Sequence, residues 1–404
     1  MTEGKSIGNV NVLDIRKTSE EAIAQIRRIR NVNIVLYSPA TASYLGRLDI
    51  GNVNASLEIP ADVELKTTMG NVRLSPETVS EGGPAMFHLV MGNVIVERGA
   101  QQGLSGEFLR SIAGLTVMGN VICPESVAGA LEPKIKQLMG NLITYPDDAT
   151  LVVGPLELTS GLLEGIDEAT GFVVTGSVLA VDPLPTALMA KIDFLQARGT
   201  ILCAEENADL LRSKLRGGKG TLTIIPSGYR LRQGDLLLDA ATVGSLDAAR
   251  LFCTGTVTFG EDLEPEAVER GLGGVRGLGL IVCPERLKES VSPKLDLVAD
   301  RAVFYEGTLW LFDKEHTLHA SRFEYSEGKF TVLVTGELHI EPDVEPSVLA
   351  DRFLAVHNLG EILCSPDQMG AIEARLGIQE GEIVDSKPKE KEEFDIGNAN
   401  VLTL

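Results

Sequence analysis

A short phrase built on glycine recurs along the whole 404-residue chain and constrains its fold more than any other feature. In each copy a residue that is usually polar follows the glycine, and aliphatic residues or cysteine usually occupy the second and fourth positions after it. Most spacings between copies lie between 14 and 29 residues. Self-similarity at such a period is typical of repeat proteins in which each copy stacks on the next. The copies begin at Gly8, Gly51, Gly70, Gly92, Gly119, Gly140, Gly176, Gly199, Gly220, Gly255, Gly307, Gly336, Gly360 and Gly397.

The alternation of apolar residues predicts that every copy is a β-strand. A period of two places successive side chains on opposite faces of a strand. A second alternating run, such as residues 115–117 or 172–174, precedes the glycine. We therefore expect each coil to contain a strand, a glycine bend and a second strand, because glycine tolerates bends and close approach of a neighbouring backbone.

A longer period of about 80 residues is superimposed on the short one. Four of the five cysteines lie four residues after a repeat glycine, and their separations are 80, 80 and 81 residues. A helix-like stretch follows each of these cysteines, which are Cys123, Cys203, Cys283 and Cys364. The spacing predicts blocks of four coils, in which the first coil carries the cysteine and a short helix.

These patterns predict a mainly β chain with short helices, folded as a single elongated parallel β-solenoid of about 16 coils. The predicted parts are an N-terminal coil with a helix (1–32), four repeat blocks (33–118, 119–198, 199–278 and 279–359) and a partial block (360–404). Within the partial block, residues 385–393 form a charged linker that precedes a terminal strand.

The side-chain alternation also predicts which residues point into each coil. Residues two and four positions after the glycine should face the interior, so the regular cysteines are interpreted as small buried core residues. Four coils separate successive block cysteines by roughly 19 Å, which is too far for a disulfide or a shared metal.

Between the two inward positions, an apolar residue should point outward once in each block. Two explanations are compatible with this pattern: the helix of the same coil covers the residue, or the residues form a lateral binding stripe. The outward residues are interaction candidates: Leu36, Ile122, Leu202, Val282 and Leu363.

Both ends of the chain carry the repeat phrase, as Ile-Gly-Asn-Val-Asn-Val-Leu at residues 7–13 and Ile-Gly-Asn-Ala-Asn-Val-Leu at residues 396–402. Solenoids usually carry atypical polar caps that prevent stacking of one end on another. The last strand therefore has two compatible placements: it folds back as the final rung of its own chain, or it adds to a neighbouring subunit. Ile396, Val401 and Leu404 are further interaction candidates.

Composition and motifs exclude several functional classes. The chain has 36 Lys and Arg against 57 Asp and Glu, a net charge of −21, which disfavours nucleic acid because phosphate binding needs a surplus of cations. No apolar stretch of about 18 residues predicts a membrane span, and no signal peptide is recognised. The odd number of widely spaced cysteines favours a reducing compartment, so we expect a cytoplasmic protein.

No catalytic, cofactor or metal site is predicted. The only local histidine cluster, Glu315-His316-Thr317-Leu318-His319, lacks the HExxH spacing of a metalloprotease. Neither a phosphate-binding loop of the Walker type nor a GxSxG nucleophile elbow is present.

The helix-bearing coils resemble leucine-rich repeats, and the short coils rich in glycine and valine resemble bactofilins, the bacterial cytoskeletal β-helices that polymerise. This resemblance to the solenoid repeat class implies stacked coils and, through bactofilins, self-assembly. It carries no functional residues to this chain.

Three hypotheses of function follow. The first is a non-enzymatic structural or scaffold protein that assembles with copies of itself through its ends or the lateral stripe. The second is a recognition solenoid that binds another protein on one face. The third is a β-helix enzyme acting on polysaccharide through paired carboxylates.

Overall fold

The computed structural model describes residues 5–75, 85–99, 112–296, 301–385 and 396–404. Strands make up 47% of the structure and helices 22%, so the prediction of a mainly β chain is confirmed. The strands are short and parallel, and they stack in sheets. The chain divides into two compact units: residues 1–203, 207–223 and 392–404 form the first, and residues 204–206 and 224–391 form the second.

In the first unit, the two ends of the chain form one sheet, which we call the terminal sheet. Its strands are parallel and lie in the order β3-β2-β1-β34. They are β1 (Lys5–Asp14), β2 (Ile26–Tyr37), β3 (Asp49–Glu58) and β34 (Ile396–Thr403), and the connections carry helices α1 (Glu20–Ala24) and α2 (Ala42–Leu45).

Residues 64–145 form two four-stranded sheets, and consecutive strands of the chain alternate between them. One sheet contains β4 (Glu64–Met69), β6 (Met86–Met91), β8 (Ile112–Val117) and β10 (Ile135–Leu138). The other contains β5 (Val72–Leu74), β7 (Val94–Val96), β9 (Val121–Pro124) and β11 (Leu142–Tyr145), and helix α3 (Glu125–Leu131) follows β9.

Residues 150–225 repeat this arrangement. One sheet contains β12 (Thr150–Val152), β14 (Thr170–Val174) and β16 (Ile192–Ala197). The other contains β13 (Leu156–Glu157), β15 (Val178–Ala180), β17 (Ile201–Ala204) and β18 (Leu222–Ile225). The helices are α4 (Ser160–Glu164), α5 (Thr186–Met189) and α6 (Ala208–Lys214).

The second unit contains two further pairs of sheets. In the first pair, β19 (Tyr229–Arg232), β21 (Ala249–Cys253) and β23 (Leu272–Gly277) form one sheet, and β20 (Leu236–Leu238), β22 (Val257–Phe259), β24 (Leu280–Pro284) and β25 (Arg301–Tyr305) form the other. The helices are α7 (Ala240–Gly244), α8 (Pro265–Gly271) and α9 (Lys288–Val291).

The last pair of sheets spans residues 308–385. One sheet contains β26 (Thr308–Phe312), β28 (Phe330–Val334), β30 (Phe353–Asn358) and β32 (Leu376–Gln379). The other contains β27 (Glu315–Leu318), β29 (Glu337–Ile340), β31 (Glu361–Cys364) and β33 (Glu382–Asp385). The helices are α10 (Ala320–Glu324), α11 (Pro346–Arg352) and α12 (Pro366–Glu373); short 3-10 turns elsewhere span Glu132–Lys134, Glu205–Asn207, Glu285–Leu287 and Ser292–Lys294.

In residues 64–145 the repeat glycines lie between two consecutive strands, where successive backbones approach closely. In the terminal sheet the prediction of two strands separated by a glycine is wrong, because Gly8, Gly51 and Gly397 lie inside the continuous strands β1, β3 and β34. A side chain at Gly119 would place its Cβ 2.6 Å from the Gly92 carbonyl oxygen, and one at Gly140 would meet the carbonyl of Gly119. Because no Cβ atom fits at such a distance, the close approach of the two backbones requires glycine at this position.

The predicted inward positions that follow Gly119, Gly279 and Gly360 are buried in hydrophobic cores. Val121 and Cys123 are fully buried in one cluster with Val94, Val96 and Leu131. The equivalent pairs of the second unit, Ile281 with Cys283 and Ile362 with Cys364, occupy the cores of residues 238–304 and 310–383.

The parallel ladders stop after three or four strands. Within the described part of the first unit, no strand of residues 64–145 pairs with one of residues 150–203. The ladders of the second unit break in the same way between β25 and β26. The predicted repeat blocks describe the repetition of the sequence and not the ends of the ladders, and they stay a prediction.

Candidate interaction site at the terminal sheet

The C-terminal strand β34 pairs with the N-terminal strand β1 in parallel register. Ile396 lies opposite Ile7, Ala399 opposite Val10, and Val401 lies opposite Val12. The two copies of the repeat phrase therefore superpose position by position. The strand does fold back onto its own chain, but its partner is the first strand and not the last repeat unit.

With this pairing the terminal sheet has four strands, the same number as each of the two sheets of residues 64–145. Residues 5–58 supply three strands, and β34 supplies the fourth. The predicted charged linker at 385–393 lies outside the described residues except for Asp385.

Asparagine side chains form a hydrogen-bonded column across the terminal sheet. The amide nitrogen of Asn54 donates to Asn33 Oδ1 (2.8 Å), Asn33 donates to Asn11 Oδ1 (2.7 Å), and Asn11 donates to Asn400 Oδ1 (2.8 Å). Every amide donates toward β34, so the column has a direction. Such side-chain ladders stabilise stacked, in-register parallel strands.

A second column lies at the bend of the same strands. Asn52 donates to Asn31 Oδ1 (2.9 Å), and Asn31 donates to Asn9 Oδ1 (3.2 Å). All three residues have left-handed backbones, with φ between 52° and 54°. Asparagine occupies this position, after Gly8, Arg30 and Gly51, because it tolerates the left-handed conformation better than most other residues.

The terminal sheet is exposed at both of its edges and buried in the middle. Val10 and Val32 are 2% and 1% exposed on the central strands. The residues that continue the same row, Val53 on β3 and Ala399 on β34, are only half-buried. Val401 is 39% exposed, although Val12 opposite it is fully buried.

A buried ion pair lies at the end of β1, next to the residues that hydrogen-bond the end of β34. Arg16 donates to both carboxylate oxygens of Asp14, at 3.0 and 2.9 Å, and these side chains are only 6% and 8% exposed. The Leu404 amide donates to the Asp14 carbonyl (3.1 Å), and the Thr18 hydroxyl donates to the Leu404 carbonyl (2.9 Å). Leu404 is itself half-buried against the core of the terminal sheet.

Four of the five outward apolar residues predicted as a binding stripe are buried. Leu36 lies in a cluster with Phe87 and Leu89 of β6, and Ile122 in a cluster with Val173 and Phe194 of β14 and β16. In the second unit, Val282 clusters with Leu333 and Leu309 of the following sheet. Leu36, Ile122 and Val282 are therefore covered by a neighbouring sheet and not by the helix that follows their own strand. Of the other two residues, Leu202 is 5% exposed and Leu363 is half-buried.

Leu363 shares its sheet face with a row of four glutamates, which we call the glutamate ladder. Glu315, Glu337, Glu361 and Glu382 begin β27, β29, β31 and β33 and lie opposite one another in register. Among the described residues, only the Glu337 carboxylate has a side-chain hydrogen-bond partner, the Nε2 atom of His339 at 2.5 Å.

In residues 64–145, asparagine occupies the position of the glutamate ladder. The Oδ1 atoms of Asn71, Asn93 and Asn120 each accept from the backbone amide of the next asparagine in the row, at 2.7–3.0 Å, and the row ends at Asn141. Carboxylates aligned in this way repel one another. Sequence reasoning did not single out the ladder, although Glu after the glycine at 336–337, 360–361 and 381–382 could have indicated it.

We expect Glu361→Gln to stabilise the second unit by roughly 0.2–1 kcal/mol, because the variant removes a like charge between two neighbours. Urea unfolding at low salt measures the gain, and added salt should reduce it by screening the repulsion. Glu324→Gln on α10, an exposed glutamate outside the ladder, is the matched control and should change little. A Glu361→Gln variant no more stable than this control would contradict the repulsion.

The five cysteines are free and buried. Burial raises the pKa of the Cys123 thiol to about 11 and that of Cys283 to about 12. Within the described ranges, no group of three or more His, Cys, Asp or Glu is arranged to hold a metal ion. The five cysteines are therefore buried core residues.

The native thiols should not react with a disulfide reagent at pH 8, because burial both blocks access and disfavours the thiolate. Counting the thiols before and after addition of denaturant is the measurement, with zero and five groups as the expected results. Since the folded pKa lies above the unfolded value, the stabilisation is complete below about pH 9 and is lost as the pH rises toward 11–12. Rapid labelling of a native thiol would contradict the prediction.

A comparison with known protein families, curated proteins and solved structures found no match to this chain. Among the described residues, the helices are too short or too polar to cross a membrane.

Proposed function

We propose that this chain is a non-enzymatic scaffold protein that assembles with copies of itself through the terminal sheet. The observation that carries the proposal is that strands from both ends of the chain meet in one parallel sheet, and that the outward edges of its two outer strands, β3 and β34, pair with no other strand among the described residues. Unpaired edges of parallel strands are templates for pairing with another chain.

The length of these edges favours the terminal sheet over the others. β3 contains 10 residues and β34 contains 8, whereas the edge strands β4, β10, β5 and β11 of the neighbouring sheets contain 6, 4, 3 and 4. A longer edge offers more backbone hydrogen bonds and a larger half-buried apolar row to an added strand.

We further propose that the strand-glycine-strand units are coils of a β-solenoid in which helices occupy the turns. The stacked glycines, the in-register parallel pairing and the common inward cysteine position support this assignment. In a solenoid, stability comes from contacts between adjacent coils, so a terminal coil with a bare edge gains stability by adding another coil.

The experiment is sedimentation velocity of the full chain over a concentration series, with negative-stain microscopy of the same samples. We expect the sedimentation coefficient to rise with concentration and filaments or ordered arrays to appear. A chain that sediments as a single species of 43.2 kDa at every concentration would refute the proposal.

The glutamate ladder supports a second candidate function, the recognition of a basic protein on the sheet of residues 315–385. Its four carboxylates lie one strand spacing apart on one face. A partner of this kind would dissociate as salt is raised, whereas apolar assembly through the terminal sheet would persist.

A further inference from the structure

We infer that the two edges of the terminal sheet are complementary to each other, so that β3 of one copy adds beside β34 of the next in parallel register. This inference rests on the proposed self-assembly and specifies the two surfaces that meet. The contact joins two different surfaces of the same chain, which makes it heterologous and able to continue from copy to copy.

The direction of the asparagine column supports this pairing. Because every amide donates toward β34, the column ends with the Asn400 amide group on one edge and with the Asn54 carbonyl oxygen on the other. Within the described part of the chain, neither end atom has a hydrogen-bond partner across its edge. An added copy supplies the Asn54 oxygen as the acceptor for Asn400, and the column continues unbroken.

The apolar rows are complementary in size as well. Continuing the observed register places Ile50 of one copy beside Ile396 of the other, Val53 beside Ala399, and Ala55 beside Val401. In each of the last two pairs a valine lies opposite an alanine. Neither of these pairs therefore places two large residues or two small residues opposite each other. All these residues except the exposed Val401 are half-buried, and the pairing would cover them as their equivalents on β1 and β2 are covered.

Cysteine cross-linking tests the pairing directly. Asn54→Cys and Asn400→Cys lie three strands apart in one chain, roughly 14 Å, which exceeds the Cα separation of about 7 Å that a disulfide can span. Between copies they would be direct neighbours. Mixing the two single variants under mild oxidation should therefore give a disulfide-linked dimer, and the buried native cysteines should not interfere.

Two further mixtures serve as controls. Asn33→Cys replaces Asn54→Cys in the first, and it should give no dimer because it lies on the central strand β2. The second control mixes Asn11→Cys with Asn400→Cys. If this mixture gives a disulfide-linked dimer and the mixture of Asn54→Cys with Asn400→Cys does not, β34 is exchanged between copies. That result overturns the edge pairing while leaving self-assembly intact.

A charge on the edge gives a second test that does not require a new disulfide. Asn54 is exposed, so Asn54→Lys should fold normally but place a cation at the contact, and assemblies should revert to single chains. Ser213→Lys, an exposed site on α6, is the matched control and should assemble like the native chain. Two results would overturn the inference: assembly that persists in Asn54→Lys, or assembly of the native chain without a cross-link between Asn54→Cys and Asn400→Cys. If the native chain does not assemble at all, the proposed function is refuted as well.

Discussion

Deletion of residues 396–404 is expected to destabilise the first unit by several kcal/mol, on the order of 3–6, and to abolish assembly. The deletion removes the strand that covers the fully buried Ile7, Val12 and Leu13 on β1. It also removes the partner of the Asn11 amide and the edge that carries Asn400. Urea unfolding and hydrogen exchange of residues 5–58 measure the loss of stability, and sedimentation measures the loss of assembly.

A peptide of residues 396–404 provides the control for this deletion. Added to the truncated chain, the peptide should restore protection of the β1 amides, because the pairing does not depend on covalent connection. The same peptide with Val401→Asp should restore less, since the charge would face the apolar cluster of Val12 and Ile34. A truncated chain that unfolds like the native chain would contradict the structural role of β34.

Local features of the coils could be predicted from the sequence because they depend on nearest neighbours. The glycine between two strands and the cysteine four residues after it are set by the close approach of neighbouring backbones and by the limited space in the core. Gly119 and Cys123 therefore occupy the places that the pattern predicted.

Contacts between sheets could not be predicted in the same way. The alternation indicates that Leu36 and Ile122 leave the coil interior, but it carries no information about what lies on the other side of the sheet. The partner of β34 was open for a similar reason: several strands share its phrase, and only the three-dimensional arrangement selects β1 from among them.

Asp14→Ala is expected to cost about 3–5 kcal/mol of folding free energy, because it leaves the buried guanidinium of Arg16 without its counter-charge. Arg16 would retain the Val63 carbonyl as an acceptor at 2.9 Å, but it would lose both carboxylate contacts. The pair lies beneath the end of β34, so the loss should also loosen that strand. Urea unfolding measures the cost, and hydrogen exchange at Leu404 reports on the strand.

The double variant Asp14→Leu with Arg16→Met distinguishes two costs to the folding free energy: leaving the Arg16 charge buried without a partner, and losing the attraction between Asp14 and Arg16. Replacing both members of a buried pair by apolar residues is often neutral or stabilising, so the double variant should recover most of the stability that the single variant loses. Asp49→Ala is the comparison at an exposed site: its carboxylate contacts Arg30 at 3.0 Å but is 53% exposed, and its loss should cost no more than about 1 kcal/mol. Equal costs for Asp14→Ala and Asp49→Ala would show that burial of the Arg16 charge does not govern the stability of this end of the sheet.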